Sequence, residues 1–383
     1  MWLDQPRNAN APLAGIKVLE LARVLAGPWA SQVLADLGAD VIKVESVDGD
    51  GTRAWGPPWV EREDSDGKTH REAAYYHACN RGKRSITADF RNKDDAANVQ
   101  QIASTADVVI ENFLPGKLAK FALDYDSLAS INEGIVYCSI TGFGQDGPRR
   151  NEAGYDFVIQ GMSGFMSLNG DPDGDPTKFG VSISDLSCGL YAANAIQAAL
   201  LMRHRTGTGQ HIDMSLLDCS VALLANQASS YFATGHAPPR MGNSHAQVSA
   251  YGVFQTKDGP IVLAPANDNL FRKLLGVLDR KDLLNDKRYA TNGARVENRA
   301  LIDAMIAEET VQWRQDDLLK ACAAAGVPAG PINTLDQVFS DPQVITRGMK
   351  INLGHQPGVR SPFNFSDAEL ALDSPSPLLG EHD

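Results

Sequence analysis

The chain lacks most of the residue patterns that usually mark a bound metal or dinucleotide. Its five cysteines, Cys79, Cys138, Cys188, Cys219 and Cys322, lie far apart and make no Cys-x-x-Cys pair, so reduced structural thiols are expected. The histidines are equally scattered. His211-Ile-Asp213 is an isolated pair of metal-ligand types, and no metal is expected. The first apolar strand pattern runs into LARVLAGPWA, which offers one glycine and one proline where a Gly-x-Gly-x-x-Gly turn needs three glycines to admit a pyrophosphate. Nicotinamide chemistry therefore loses its main support, and no NAD is expected. The Gly-x-x-x-x-Gly-Lys-Ser/Thr loop of phosphoryl transfer is missing too.

Long apolar runs are also missing. No stretch approaches ~20 uninterrupted apolar residues, and MWLDQPRNANAPLAG has no basic region followed by an apolar core. A soluble, cytoplasmic protein that spans no membrane is the expectation. Positive charge is scarce: 35 Lys and Arg stand against 47 Asp and Glu, a net charge of −12. That balance argues against nucleic acid or an anionic membrane as partner.

What is present is ordinary globular composition, 43% hydrophobic and 21% charged, over 383 residues, enough for two domains. GIKVLELA reads as a strand, GPWASQVLADLGA as an amphipathic helix and ADVIKVE as a second strand, a βαβ unit with parallel strands. The alternation continues through KRSITADF (strand), NKDDAANVQQIASTA (helix), ADVVIENF (strand), DYDSLASINEG (helix) and IVYCSITGFG (strand). An open, mostly parallel α/β sheet follows.

Beyond residue 150, GYDFVIQGMSGFMSLNG is rich in small residues, as closely packed buried helices require. GQHIDMSLLDCSVALLANQASSYF reads as a strand running into a helix. A different module occupies 225–330, with YGVFQTKDGPIVLAPAN as a hairpin and two or three amphipathic helices after it. Residues 1–224 form a large domain that the Pro- and Gly-punctuated tail, 331–383, returns to complete.

Two features point towards chemistry. In GVSISDLSCGLYAANAIQAALLMRHRTGTGQ, Asp185 heads about five turns of small and apolar residues before the first charge at Arg203. Locally this is a helix N-cap, since an Asp carboxylate accepts orphan backbone N–H bonds. The scarce positive charge is clustered: Arg81, Lys83, Arg84, Arg91 and Lys93 lie close together, with Lys117 and Lys120 following. Such a run is either a solvated surface or the patch that a net-acidic protein needs to receive a phosphorylated cofactor.

The ordered set PLAGIKVLELARVLAGPWASQVLADLGADVIKVE, NRGKRSITADF, ADVVIENFLPG, SITGFGQDGP, AGYDFVIQGMSG, GVSISDLSCGLYAANAIQAAL, TGTGQHIDMSLLD, VPAGPIN and PLLGEH resembles the class III CoA-transferase family of CaiB/BaiF type across almost the whole chain. The family includes formyl-CoA, succinyl-CoA and carnitine CoA-transferases and 2-methylacyl-CoA racemases. The resemblance implies a Rossmann-like large domain, a smaller α+β domain and two subunits threaded through each other as an interlocked homodimer. Coenzyme A, carried as an acyl thioester, is the implied cofactor, and a small carboxylic acid the other substrate.

By the same resemblance Asp185 is the catalytic nucleophile, a role compatible with capping. Val24, Asn112 and Phe113 lie where the family meets the nucleotide, and Arg91 and Lys120 where it places cations near the phosphates. Arg81, Lys83 and Arg84 stay open between that role and plain surface charge. Thr141 and Phe143 adjoin the cofactor, at positions where some formyl-CoA transferases carry Lys and Tyr. Those enzymes also cover the site with a glycine-run loop that MGNSHAQVSAYG does not reproduce, so oxalate-for-formate exchange is not implied.

The racemases carry a His in a Gly-His-Asp triplet; here the triplet is Gly154-Tyr155-Asp156. A phenol with pKa near ~10 replaces imidazole poorly, which favours transfer over racemisation. Tyr155, Arg240 and His245 are substrate-binding candidates, the last two as cations for a second carboxylate on the acid. The expected activity is CoA transfer from succinyl-CoA or a similar donor to a dicarboxylic acid. A 2-methylacyl-CoA racemase and a non-catalytic CoA-binding subunit are the alternatives.

Overall fold

The computed structural model describes residues 2–64, 66–354 and 356–383. Among these, the chain runs β1 (Lys17–Glu20), α1 (Ala26–Asp36), β2 (Asp40–Glu45), β3 (Trp59–Glu63), β4 (Thr69–Ala73), α2 (Ala74–His77), β5 (Lys83–Thr87), α3 (Lys93–Ala103), β6 (Val108–Glu111), α4 (Tyr125–Ala129) and β7 (Val136–Thr141). It continues through α5 (Asp156–Met162), α6 (Phe165–Leu168), α7 (Ile183–Thr206), β8 (Gln210–Ser215), α8 (Leu216–Ala222) and α9 (Ala225–Thr234). Then come β9 (Gly252–Gln255), β10 (Pro260–Leu263), α10 (Asp268–Val277), α11 (Asn292–Glu297), α12 (Arg299–Thr310), α13 (Gln315–Ala325) and β11 (Ala329–Pro331). The chain closes with α14 (Leu335–Ser340), α15 (Pro342–Thr346), β12 (Lys350–Asn352) and β13 (Pro357–Val359).

Two compact units emerge, one of Met1–Met166, Lys178–Gly235 and Pro342–Asp383, the other of Ser167–Thr177 and His236–Asp341. The first is built on a six-stranded sheet in the order β5-β2-β1-β6-β7-β8, parallel throughout, as the strand and helix alternation predicts. Its inner strands β2, β1, β6 and β7 are buried on both faces. Val18, Val108, Ile110, Val136 and Cys138 pack with α1 and α7 on one side. Leu19, Ile42, Val109, Ile135 and Tyr137 pack with α3 on the other. Alternating side chains thus serve two helical layers, which is why these strands read as continuous apolar runs. In the second unit, β11-β10-β9 forms an antiparallel sheet. Phe254, Ile261 and Leu263 pack there with Phe271, Leu274 and Ile306.

The strand order reverses between β1 and β6. At such a switch point two neighbouring loops leave the sheet in opposite directions and open a crevice at the carboxyl ends of the strands. Here the loops are 21–25 and 112–116, and they are tied together. Arg23 N–H donates to Asn112 Oδ1 at 2.9 Å, and Asn112 Nδ2 donates to the Arg23 carbonyl at 2.6 Å.

Arg81 and Lys83 of the NRGKRS segment are not solvated surface charges but buried ion-pair partners, and Arg84 is paired and only partly exposed. Lys83 is fully buried against Glu20 at 2.8 Å, Arg81 is buried on Asp36 at 2.5 Å, and Arg84 pairs with Asp40 at 2.8 Å. Lys43 of β2 joins Glu20 at 2.9 Å and Asp50 at 3.1 Å. Burying such charges is costly unless every partner is in place, so the cluster acts as a rigid ionic strut under the switch point. The stretch 46–79 also holds the β3–β4 hairpin, which the charged sequences WVERE and THREA did not announce. In the tail, Ala371 N–H donates to the Asp36 carbonyl at 2.8 Å, and Asp373 pairs with Arg7.

The helices after residue 150 depart from expectation. Phe157 and Val158 of α5 are exposed, as are Leu190, Tyr191 and Leu201 of α7, Val221 of α8 and Phe232 of α9, the last at 80%. In α7 a small residue serves a close contact with α1. A Cβ on Gly189 would stand 2.6 Å from the Ala26 carbonyl oxygen and 3.0 Å from the Trp29 ring. Gly→Ala inside a helix ordinarily gains about 1 kcal/mol. Gly189→Ala should instead lose about 1–3 kcal/mol by forcing α1 and α7 apart, seen as a lower melting temperature in calorimetry.

Candidate active site

Asp185 occupies the third position of α7, not its cap. Ser182 precedes the helix and makes no side-chain capping bond. The role that local sequence assigns to Asp185 belongs to Asp156, at the start of α5. Its Oδ1 accepts the Ser184 N–H at 2.8 Å and, at 3.4 Å, the Asp185 N–H. Asp156 Oδ2 accepts from Gln160 Nε2 at 2.7 Å, and Gln160 Oε1 takes the Phe179 N–H at 2.9 Å. With the first α7 donors already occupied, no hydrogen bond lowers the Asp185 carboxyl. Burial, and then the negative charge of Asp156, push its pKa up to about 7. Nearby, Tyr75 is pushed up to about 12, chiefly by burial, with the Asp185 charge adding to the effect; its hydrogen bond with Ser182 acts the other way.

Asp185 opens onto a cavity of about 370 Å3 at the switch point. One wall is Arg23, Val24, Leu25 and Ala26, the end of β1 and the start of α1; another is Asn112, Phe113, Leu114 and Lys117; the floor is Thr141, Gly142 and Gly154, with Tyr155 beside them. The floor is bare backbone by necessity: a Cβ on Gly142 would lie 2.6 Å from the Gly154 Cα. No side chain caps α1. An uncapped first turn leaves backbone N–H groups that ordinarily take an acceptor. Arg23 stacks its guanidinium over Phe113 at 5.1 Å. Glu111 Oε2 accepts the Phe113 N–H at 2.7 Å and so fixes the turn after β6. Burial pushes that carboxyl up to about 7 as well.

Six of the residues singled out in the sequence, Asp185, Val24, Asn112, Phe113, Thr141 and Tyr155, meet around this one cavity. Phe143 stands behind it, packed towards Gly154. Arg91 lines a neighbouring cavity of about 270 Å3, together with Leu21, Val44, Phe90, Phe113 and Phe121; Arg23 and Phe113 border both. The Arg91 side chain is 81% exposed and pairs with Asp89 at 2.9 Å. Lys120 holds its ammonium 4.6 Å from the Phe121 ring centre. Arg240 and His245 belong to the second unit, where Arg240 donates to the Asp171 and Gly174 carbonyls and His245 Nδ1 accepts the Gln247 N–H. Sequence reasoning did not assign Arg23 to the site, left Lys117 in a cationic run open between solvated surface and cofactor patch, and did not give Asp156 as the group behind Asp185. Only the Gly154-Tyr155-Asp156 triplet gave a signal for the last of these.

A family model described as CoA-transferase family III matches residues 13–383, and the chain belongs to that family. The chain is 52% identical, over 99% of its length and 95% of the relative's, to the succinate–glutarate CoA-transferase of Agrobacterium fabrum. It is 39% identical to the human succinyl-CoA:glutarate CoA-transferase, covering all of this chain and 87% of that one. Among solved structures, a CaiB/BaiF family protein from Brucella suis superposes with a TM-score of 0.87 at 56% identity, covering 97% of each chain. The protein is therefore an enzyme, a CoA-transferase whose substrates are CoA thioesters.

The raised Asp185 pKa has a consequence for stability. An unfolded aspartate ionises near ~3.9, whereas this one holds its proton until about 7. The folded state thus binds the proton more tightly, and the cost of the buried charge is absent below the unfolded value and complete above the folded one. Asp185→Asn should melt at a higher temperature than the wild type at pH 8, with the difference closing towards pH 4.

Proposed function

We propose that this enzyme moves CoA from succinyl-CoA to a small dicarboxylic acid, with glutarate the first acid to test, by way of covalent intermediates on Asp185. The observation that carries this reading is a half-buried carboxyl, poised to ionise near neutrality, in the cavity where an uncapped helix start and the Asn112-Phe113 turn converge. The names of the relatives supply the substrate class.

Ionised Asp185 attacks the donor thioester carbonyl, and the C–S bond breaks to give an acyl-aspartyl anhydride and CoA thiolate. The thiolate then attacks the Asp185 carbonyl, releasing the donor acid and leaving an aspartyl-CoA thioester. The acceptor carboxylate displaces CoA to form a second anhydride. CoA attacks its acyl carbonyl, and the Asp185 carboxylate is restored. No net proton is consumed. A poorly solvated nucleophile loses little water on attack, and the Leu25 and Ala26 N–H groups are the candidate donors to the tetrahedral oxyanions. The cavity walled by Leu21, Phe90, Phe113 and Phe121 suits the adenine. Arg23 and Arg91 at its edge, with Lys120 close by, suit the phosphates. Lys117, Tyr155, Thr141 and Phe143 are left to frame the acyl end.

We infer further that two copies pair through the apolar faces of α5, α7, α8 and α9, since exposed patches of that kind mark interaction surfaces. The five free, buried cysteines suit the reducing cytoplasm. Tyr155, 63% exposed where a racemase would need an imidazole, favours transfer over racemisation. Incubation with succinyl-CoA followed by hydroxylamine should convert Asp185 to its hydroxamate, detected in the peptide carrying it. Asp185→Ala should lower kcat at least about 1,000-fold, as loss of a covalent nucleophile does. An unmodified peptide, or deuterium exchange beside the thioester without any acceptor acid, would turn the assignment towards racemisation.

A further inference from the structure

The wall of the cavity contains a strained residue. Val24 adopts φ +71°, a left-handed conformation that a β-branched side chain strongly disfavours. Backbone strain of this kind persists only where the surroundings over-determine it. The segment 22–24 is held at every residue. The Ala22 carbonyl accepts from Lys43 Nζ at 2.9 Å, and Arg23 is gripped on both sides by the Asn112 amide. The Val24 N–H donates to the Asp50 carboxylate, 3.1 Å from Oδ2.

Asp50 is no surface residue recruited by chance. Its side chain is fully buried, its Oδ2 lies 3.1 Å from Lys43 Nζ, and its Oδ1 accepts both the N–H and the hydroxyl of Thr52 at 3.0 and 2.8 Å. Its own N–H donates to Glu45 Oε2 at 2.9 Å. It is absent from the cavity lining, whereas Val24, Leu25 and Ala26 are part of it. We propose that Asp50 is a positioning residue for acyl transfer: anchored on Lys43, its carboxylate holds Val24 in the left-handed conformation and thereby sets where the Leu25 and Ala26 N–H groups stand opposite Asp185. Freed of that bond, Val24 relaxes towards negative φ and carries the start of α1 with it.

The inference rests on the transfer reading above, and its test separates the two. Asp50→Ala should lower kcat about tenfold while KM for the acyl-CoA stays within about twofold, because the ground-state contacts survive and the oxyanion donors are displaced. Asp50→Asn, which keeps an acceptor oxygen, should retain more activity. Glycine tolerates positive φ without a clamp, so Val24→Gly placed in the Asp50→Ala background should raise kcat at least about threefold. A merely structural role for Asp50 predicts no such recovery. Should Asp50→Ala fail to fold, the same comparison in the Asp50→Leu background, which fills the buried site without an acceptor, decides.

Crystals of the Asp50 variant should show Val24 at negative φ, a readout independent of any substrate. Unchanged kcat in Asp50→Ala, equal impairment with and without Val24→Gly, or Val24 still left-handed in the variant would each overturn the clamp. A wild-type enzyme inactive on every thioester and acid pair would sink the transfer reading, whereas a relaxed Val24 in the variant would still bear out the clamp.

Discussion

Two carboxylates meet at the start of α7 and set the electrostatics of the cavity there. Asp156 takes the first N–H groups of α7, donors that would otherwise have been available to Asp185. What is left for Asp185 is a half-buried position with a like charge behind it, and both influences oppose ionisation. A carboxylate that is poorly solvated and poorly hydrogen-bonded is a better nucleophile than one in water. The price is stability, which the rest of the first unit has to supply.

That supply is visible in the scaffold around the switch point. The sheet brings the ends of β1 and β6 side by side, and Asn112 binds the two loops into one surface. Beneath them Glu20, Lys43, Lys83 and Asp50 form a buried ionic cluster in which each charge answers another. Above them α1 crosses α7 so closely that Gly189 has no room for a methyl group. Asp185 on α7 and the first turn of α1 are thereby positioned by the same helix contact. Precision of this kind matters because oxyanion stabilisation depends on donors placed before the reaction begins.

Much of this was legible in the sequence because it is local. The βαβ alternation from residue 16 onwards gave the parallel sheet, and Asp185 stood out at the head of its apolar run, whereas Val24, Asn112 and Phe113 came only through the family resemblance. What stayed hidden depends on pairs that meet only after folding. Lys83 and Arg81 stayed open between a cofactor patch and surface charge until Glu20 and Asp36 arrive from β1 and α1. Asp185 read as a cap until Asp156, 29 residues earlier, took that task. Arg23 lay unremarked within LARVLAGP, since nothing in the linear order sets it over Phe113. The apolar faces of α5 and α7 read as core for a similar reason: composition records that a residue is apolar, not whether it is covered.

The central claim is that an Asp185 oxygen enters the reaction as a bonded atom, and isotopic oxygen tests it most directly. In a single turnover of enzyme, succinyl-CoA and glutarate labelled with oxygen-18 in its carboxylates, the second anhydride must break on the acyl side. One labelled oxygen is then left on Asp185. The peptide carrying Asp185 should gain one oxygen-18, and the next donor acid released should carry it away. Glutaryl-CoA formed at the normal rate with no label in that peptide would contradict the account.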